Sequence, residues 1–214
     1  MEERIRVLYN ILKQFSNNIM TKLLYCIRHG TALHNVNYWK IGRKAYTDFK
    51  DTPLIDKGKM EAIQLGIEWK KLFSVELVLV SPLSRTLDTA KYIFQDYQNV
   101  PMIALDELME HPQAEELCNQ RFDKTELINR YHNVDFSNIS EDPKIFWDSR
   151  HIHKKELLKL NKRIDAFKEF VKRRPEKTIA IVSHSSLLGH MLYNKIGDED
   201  NELKHCFPYE FELM

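Results

Sequence analysis

Three stretches, "KLLYCIRHG" (22–30), "VELVLVSPLSR" (75–85) and "TIAIVSHSS" (178–186), limit what this chain can fold into more than any other feature. Each is a short run of Val, Ile and Leu without polar alternation, and each stops at cationic, hydroxyl or imidazole side chains. Such runs suit strands covered on both faces, as in a parallel sheet flanked by helices. A loop is expected after the first, and helices over "TLDTAKYIFQDY" and "LLGHMLYNKI" after the second and third. Helical spacing also marks "DKGKMEAIQLGIEWKKLF" and "KKELLKLNKRIDAFKEFVKRR", the latter stopped by Pro175. Strands alternating with helices predict an α/β fold, a three-layer α/β/α sandwich with a mostly parallel central sheet. "VPMIAL" predicts a further short strand, and "PYEFEL" an edge strand at the C-terminal end.

Two regions stand apart from this pattern. Residues 2–19 place Ile5, Leu8, Ile11, Leu12, Phe15 and Ile19 at helical spacing, which predicts an amphipathic extension over 1–21 ahead of a single domain over 22–214. The stretch from about 113 to 153 is polar and interrupted by Pro143, and is expected to form an inserted cap rather than part of the sheet.

With 214 residues, 43% hydrophobic and 29% charged, the chain can bury a full core. A formal net charge of +1 suggests neither a nucleic-acid footprint nor a membrane-surface patch, so any anion site must be a local cluster. Cys26, Cys118 and Cys206 are odd in number and widely spaced, against a disulfide framework or a structural zinc site. A reducing compartment is expected, the cytoplasm first and the nucleus as the alternative. No bilayer-length apolar stretch or signal peptide is visible.

Ligands of open α/β sheets sit beyond the carboxyl ends of the strands. The first strand delivers Arg28 and His29 there, the second Arg85, and the third His184. Pro82 suits a helix start, which sets Arg85 in a first turn with its guanidinium free to reach sideways. Taken singly, each of these has an ordinary explanation as a solvated strand edge or a satisfied histidine. Together, two guanidiniums and two imidazoles facing one space repel each other and are costly to desolvate, so the cluster asks for a dianion. Arg forks fit phosphate oxygens, and a histidine between them can attack phosphorus. Gly30 lets the backbone approach and allows a nearby carbonyl to accept from His29 Nδ1, leaving Nε2 as nucleophile. No P-loop or metal-carboxylate motif is present, and no cofactor or metal is expected.

The motifs "RHGTALHN", "SPLSRTLDTA", "ELMEH" and "SHSS", in this order and at these separations, resemble the histidine phosphatase superfamily, also called the phosphoglycerate mutase-like family. The likeness covers most of 22–196. "HNV", "CNQRFDKTELINRYHNVDFSNI" and "IFW" further resemble its plant and fungal phosphoglycerate mutase-like branch. The resemblance implies a phosphohistidine at His29, a phosphate pocket completed by Arg28, Arg85 and His184, and a proton donor matching Glu110, with Glu107, His111 and Glu115 close by. It also sets Asn35 near the phosphate. "SHSS" departs from the Ser-His-Gly of many members, and "LIDKG" from their Leu-Thr or Leu-Ser opening; neither removes a catalytic group.

The expected activity is therefore metal-independent hydrolysis of a phosphate monoester, carried by a small phosphorylated metabolite or a phosphoprotein. A mutase, the first alternative, needs extra cations in its cap to hold a second anion. Here Arg121, Lys124, Arg130 and Lys144 are mixed with Glu115, Glu116, Asp123, Glu126, Asp135, Glu141 and Asp142. A catalytically silent phosphate-binding module would be marked by loss of the histidine or the acid, and both are present. A metal hydrolase built on His111, His151 and His153 lacks carboxylates at ligand spacing. The substrate and the oligomeric state are not written in these motifs.

Overall fold

The computed structural model describes residues 21–112, 115–146, 153–196 and 202–214. The helix expected over 2–19 lies outside them, as does His151. Five strands, β1 (Lys22–Arg28), β2 (Leu77–Val80), β3 (Met102–Ala104), β4 (Thr178–Ser183) and β5 (Pro208–Leu213), form one sheet in the order β3-β2-β4-β1-β5. The pairs β1·β4, β4·β2 and β2·β3 are parallel, and β5 runs antiparallel along the outer edge of β1.

The absence of polar alternation in the strands has a direct structural cause, since neighbouring side chains go to opposite faces and both faces are buried. Tyr25, Ile27, Val78, Val80, Ala180 and Val182 enter one core cluster, whereas Leu24, Cys26, Leu77, Leu79, Ile179 and Ile181 enter the other. The first face is covered by α3 (Asp56–Glu68) through Ala62 and by α4 (Ser84–Ile93) through Leu87, Ala90 and Ile93. The second is covered by α6 (His153–Lys172) through Leu160, Ile164, Phe167 and Val171, and by α7 (Ser185–Tyr193) through Leu187, Leu188 and Met191. This is the expected α/β/α sandwich. Among the described residues, no helix is long and apolar enough to cross a membrane.

Two expectations need revision. After β1 the chain forms helices, α1 (Leu33–Ile41) and α2 (Lys44–Thr47), where a loop was expected. In α1 only His34 is buried, so the helix has no apolar stripe to announce it. The stretch expected as an inserted cap rather than part of the sheet sends, over 115–146, several side chains into the main core and one residue to the sheet edge. Its helix α5 (Lys124–Arg130) and the following turn send Leu127, Tyr131, Phe136 and Ile139 into the first core cluster. Asp135 even joins the sheet edge, its N–H donating to the Met102 carbonyl (2.8 Å) while its carbonyl accepts from Ala104 N–H (2.9 Å). Arg121 is fully buried in an ion pair with Asp106 at 2.8 Å, and is thus a structural cation.

The parallel register brings the carboxyl ends of three strands level. Arg28 pairs with Ser183, and Val80 pairs with Val182, so Arg28-His29, Ser81 and Ser183-His184 leave the sheet side by side.

Candidate active site

His29 is held from both sides of its backbone. Its N–H donates to the Ser183 carbonyl (3.0 Å), and its own carbonyl is 2.6 Å from His205 Nδ1. Its ring Nδ1 lies 2.7 Å from the Gly30 carbonyl. A carbonyl only accepts, so Nδ1 carries the proton and Nε2 presents a lone pair. The Nε–H of Arg85 points at that lone pair from 3.3 Å. Gly30 is required here because a Cβ at this position would sit 2.4 Å from the Gly58 carbonyl oxygen, at the start of α3. The glycines of "RHG" and "LIDKG" therefore fit together as one close backbone contact.

Arg85 occupies the first turn of α4, which begins at Ser84 and leaves Pro82 in the turn ahead of it. Asp51 sets that turn: it accepts from the Ser84 N–H (2.8 Å) and hydroxyl (2.9 Å), and its backbone lies at φ 43°. Burial pushes the Asp51 carboxyl up to about 6, against the opposing pull of Ser84 and Arg85. Arg85 is 1% exposed and donates to the Cys118 carbonyl (2.6 Å) and Asn119 Oδ1 (2.8 Å). Arg28 donates from Nη1 to Glu202 (2.9 Å) and to the Leu203 carbonyl (2.7 Å).

His184 stands 5.2 Å from His29, ring centre to ring centre, and its Nε2 is 2.8 Å from the Ser81 hydroxyl. When Ser81 donates there, His184 keeps its proton on Nδ1. That Nδ1 and Arg28 Nε are buried without hydrogen-bond partners among the described residues. Leaving a buried polar group unpaired costs about 1–3 kcal/mol, so two such groups around one histidine mark a place built for an anion's oxygens.

Four imidazoles gather here, since His34 and His205 also approach His29 at 5.9 and 5.6 Å. Burial, then the charge of Arg85, holds His29 well below the usual imidazole range, and the same two causes act on His34 and His184. Burial followed by Arg28 lowers His205. All four shifts favour the uncharged imidazole, which leaves His29 Nε2 its lone pair.

Glu110 lines a cavity of about 210 Å³ together with Arg28, Asn119 and Ser186, and the buried Arg85 donates to Cys118 and Asn119 of that wall. Its carboxylate accepts from the His111 N–H (2.8 Å) and makes longer contacts to the N–H groups of Ser186 and Leu187 at the start of α7. Desolvation raises its pKa despite these donors and Arg85. Burial also raises the pKa of Glu107, but that residue is no part of the cavity wall. Asn35 caps α1, its Oδ1 accepting from the Ala32 N–H (2.9 Å), and it borders an outer groove together with Arg28 and His205.

The structure thus gathers Arg28, His29, Arg85, His184 and Glu110, and places Asn35 in the wall of the outer groove that Arg28 and His205 also line. Sequence reasoning missed His205, Glu202, Asn119 and Asp51 and gave His34 no role. The signal for His205 was available, because an edge strand antiparallel to β1 must start beside the end of β1, delivering the residues before it to His29. Among the described residues, no group of three or more His, Cys, Asp and Glu is placed to hold a metal ion.

The family model for the histidine phosphatase superfamily (branch 1) matches residues 24–208. A Schizosaccharomyces pombe protein named "Probable phosphatase" is 29% identical over 187 residues, covering 85% of this chain and 82% of its own. An Arabidopsis thaliana "Phosphoglycerate mutase-like protein" is 28% identical over 209 residues, covering 83% and 76%. Among solved structures, the ecdysone phosphate phosphatase from Bombix mori, in complex with tungstate, superposes with a TM-score of 0.56 at 16% identity, covering 89% of this chain and 88% of that one. Phosphoglycerate mutase from Bacillus anthracis gives a TM-score of 0.56 at 18% identity, covering 92% and 90%. These two establish a common fold. Because the matched span contains every strand end that builds the chamber around His29, the chain belongs to the histidine phosphatase superfamily, branch 1.

Proposed function

We propose that the protein hydrolyses phosphate monoesters through a phosphohistidine at His29, with small-molecule esters as substrates. The observation that carries this reading is the tautomer of His29: Nδ1–H tied to the Gly30 carbonyl, and an uncharged Nε2 facing a guanidinium. The membership established above and the relative named a phosphatase support the same class of reaction.

In the first step His29 Nε2 attacks phosphorus and the bond to the leaving oxygen breaks, while Glu110 donates its proton to that oxygen. Phosphate oxygens replace Cys118, Asn119 and Glu202 as partners of Arg85 and Arg28, and the unpaired His184 Nδ1–H and Arg28 Nε–H add two further donors. These groups are preorganised for the charge of a five-coordinate phosphorus. In the second step water attacks phosphorus, Glu110 takes its proton, and the N–P electron pair returns to Nε2. With guanidiniums and imidazoles meeting the phosphate charge, neither step calls on a metal ion.

The test is rapid alkaline quenching during turnover, which preserves phosphohistidine, followed by peptide mass analysis. Phosphate on His29 is the expected result, with turnover unchanged by a chelator. Phosphate on a serine or aspartate, or activity lost to the chelator and restored by a metal, overturns the mechanism.

A further inference from the structure

Arg28 and His205, which flank His29, also line a groove of about 810 Å³, whose wall further includes Tyr38, Trp39, Arg43, Tyr46 and Lys57. A series of rings leads from the nucleophile to its outer end. His29 and His34 are 5.9 Å apart, His34 and Tyr46 5.6 Å, Tyr46 and Tyr38 5.4 Å, and Tyr38 and Trp39 5.9 Å. Trp39 is 78% exposed, a large apolar ring left open to solvent on a helix with no apolar stripe. That ring belongs to neither core cluster.

The charges of the groove are as telling as its rings. Arg28 is 2.9 Å from Glu202, Arg43 is 3.3 Å from Glu116, and Lys57 is 3.7 Å from Glu61. Each arginine or lysine in the groove wall thus already faces a carboxylate, and Glu116 and Glu202 themselves belong to that wall. Burial pushes the Tyr46 phenol up to about 12, so it stays neutral. A second phosphate or a carboxylate on the substrate would meet two glutamates without gaining an uncompensated cation. A flat uncharged group would meet ring faces and edges, which favour stacked or edge-on contacts.

We infer that this groove holds the leaving group of the ester, and that the leaving group is an uncharged alcohol bearing a flat apolar ring. The inference rests on the phosphatase reading above and adds the substrate class. It also accounts for hydrolysis rather than mutase chemistry, because a mutase substrate carries a second anion that this groove does not receive.

The experiment compares three primary alkyl esters, naphthylethyl phosphate, glycerol phosphate and phosphoglycerate, whose leaving oxygens need similar help. Expected kcat/KM for naphthylethyl phosphate exceeds that for glycerol phosphate by about 10-fold, and that for phosphoglycerate by about 100-fold, from ring contact and from the paired charges respectively. Trp39→Ala and Tyr38→Ala should each lower kcat/KM for the naphthyl ester by several-fold, mainly through KM, with Trp39→Phe restoring most of the loss. Glu116→Gln, which releases Arg43, should narrow the discrimination against phosphoglycerate. If phosphoglycerate or glycerol phosphate is turned over as well as the naphthyl ester, or if neither aromatic substitution moves the ratio, the ring site is wrong and the phosphatase reading stands. If no ester is hydrolysed, the phosphatase reading falls and takes the ring site with it.

Discussion

The chamber around His29 and the groove outside it are assembled in different ways. In the chamber, a backbone carbonyl holds each of three side chains: Gly30 sets the His29 tautomer, Cys118 holds Arg85, and Leu203 holds Arg28. In the groove, Tyr38 and Trp39 stand on one helix and Tyr46 on the next, and Arg43 and Lys57 extend into solvent. A rigid buried cluster suits a step common to all substrates, since preorganised charge removes reorganisation from the barrier. Open rings with paired charges suit selection among substrates, because ring contact changes affinity more than it changes chemistry. Substitutions in the chamber should therefore lower turnover of every ester, whereas those in the groove should change their ranking.

The largest effect is expected at the centre of the chamber. His29→Ala removes the proposed nucleophile and should reduce turnover of all esters by at least about 10⁴-fold, as loss of a nucleophile does elsewhere. Thermal melting should show the variant folded, because the residue it removes is a ring crowded by two guanidiniums and three other imidazoles. Residual activity within about 10-fold of wild type would move the nucleophile elsewhere.

Arg85→Lys keeps a charge but loses the planar fork that reaches Cys118, Asn119 and His29 at once. The loss should appear in kcat on every ester, by roughly 10²-fold. If only some esters were affected, Arg85 would belong functionally to the groove, and the division between the two regions would fail.

The chamber was largely legible in the sequence and the groove was not. Arg28, His29, Arg85 and His184 could be read because each lies within two residues of a strand end or in the first turn after one, so local geometry suffices to place it. The His29 tautomer could be read from Gly30 for the same reason. His205 and Glu202 arrive through the antiparallel pairing of β5 with β1, a contact across about the whole length of the chain. The helix α1, which carries Tyr38 and Trp39, has no periodic apolar face and so resembles a loop. The stretch over 115–146 looked like a cap because its apolar residues, Leu127, Tyr131, Phe136 and Ile139, are spaced irregularly by the turns that carry them into the core.

Glu110 lies on the boundary, lining the cavity and proposed as the proton donor for the chamber's chemistry. Its donor role requires a protonated carboxyl, and desolvation raises its pKa. His29 must be neutral, and burial together with Arg85 lowers its pKa. Because activity needs pH above the His29 value and below the Glu110 value, the first shift moves the acid limb of kcat/KM down and the second moves the alkaline limb up. An alkoxide needs the proton and a nitrophenolate does not. Glu110→Gln should thus slow alkyl esters by roughly 10²-fold and nitrophenyl phosphate far less, and should remove the alkaline limb for alkyl esters. Glu107→Gln should change both substrates little, and the reverse ranking would transfer the role to Glu107. A uniform loss on both would assign Glu110 to binding or to activating the water of the second step.

The smallest effect is expected at Asn35, where the resemblance and the geometry lead to different roles. The resemblance sets this side chain near the phosphate, whereas in the structure its Oδ1 accepts the Ala32 N–H at 2.9 Å, closing the first turn of α1. A capping contact of this kind is worth about 0.5–1 kcal/mol, so Asn35→Ala should lower the unfolding free energy by about that amount, read as a small drop in Tm. Asn35→Asp separates the two roles by sign. A carboxylate keeps the acceptor and adds a negative charge at the helix N-terminus, where the macrodipole favours it, so stability should return to the wild-type value or slightly above. The same charge beside a bound phosphate would repel it. A rise in KM across all esters in the Asp variant, absent from the Ala variant, would place the carboxamide against the anion and extend the chamber outward to α1. Recovery of Tm without that rise would keep Asn35 as the support of the helix that presents Tyr38 and Trp39 to the groove.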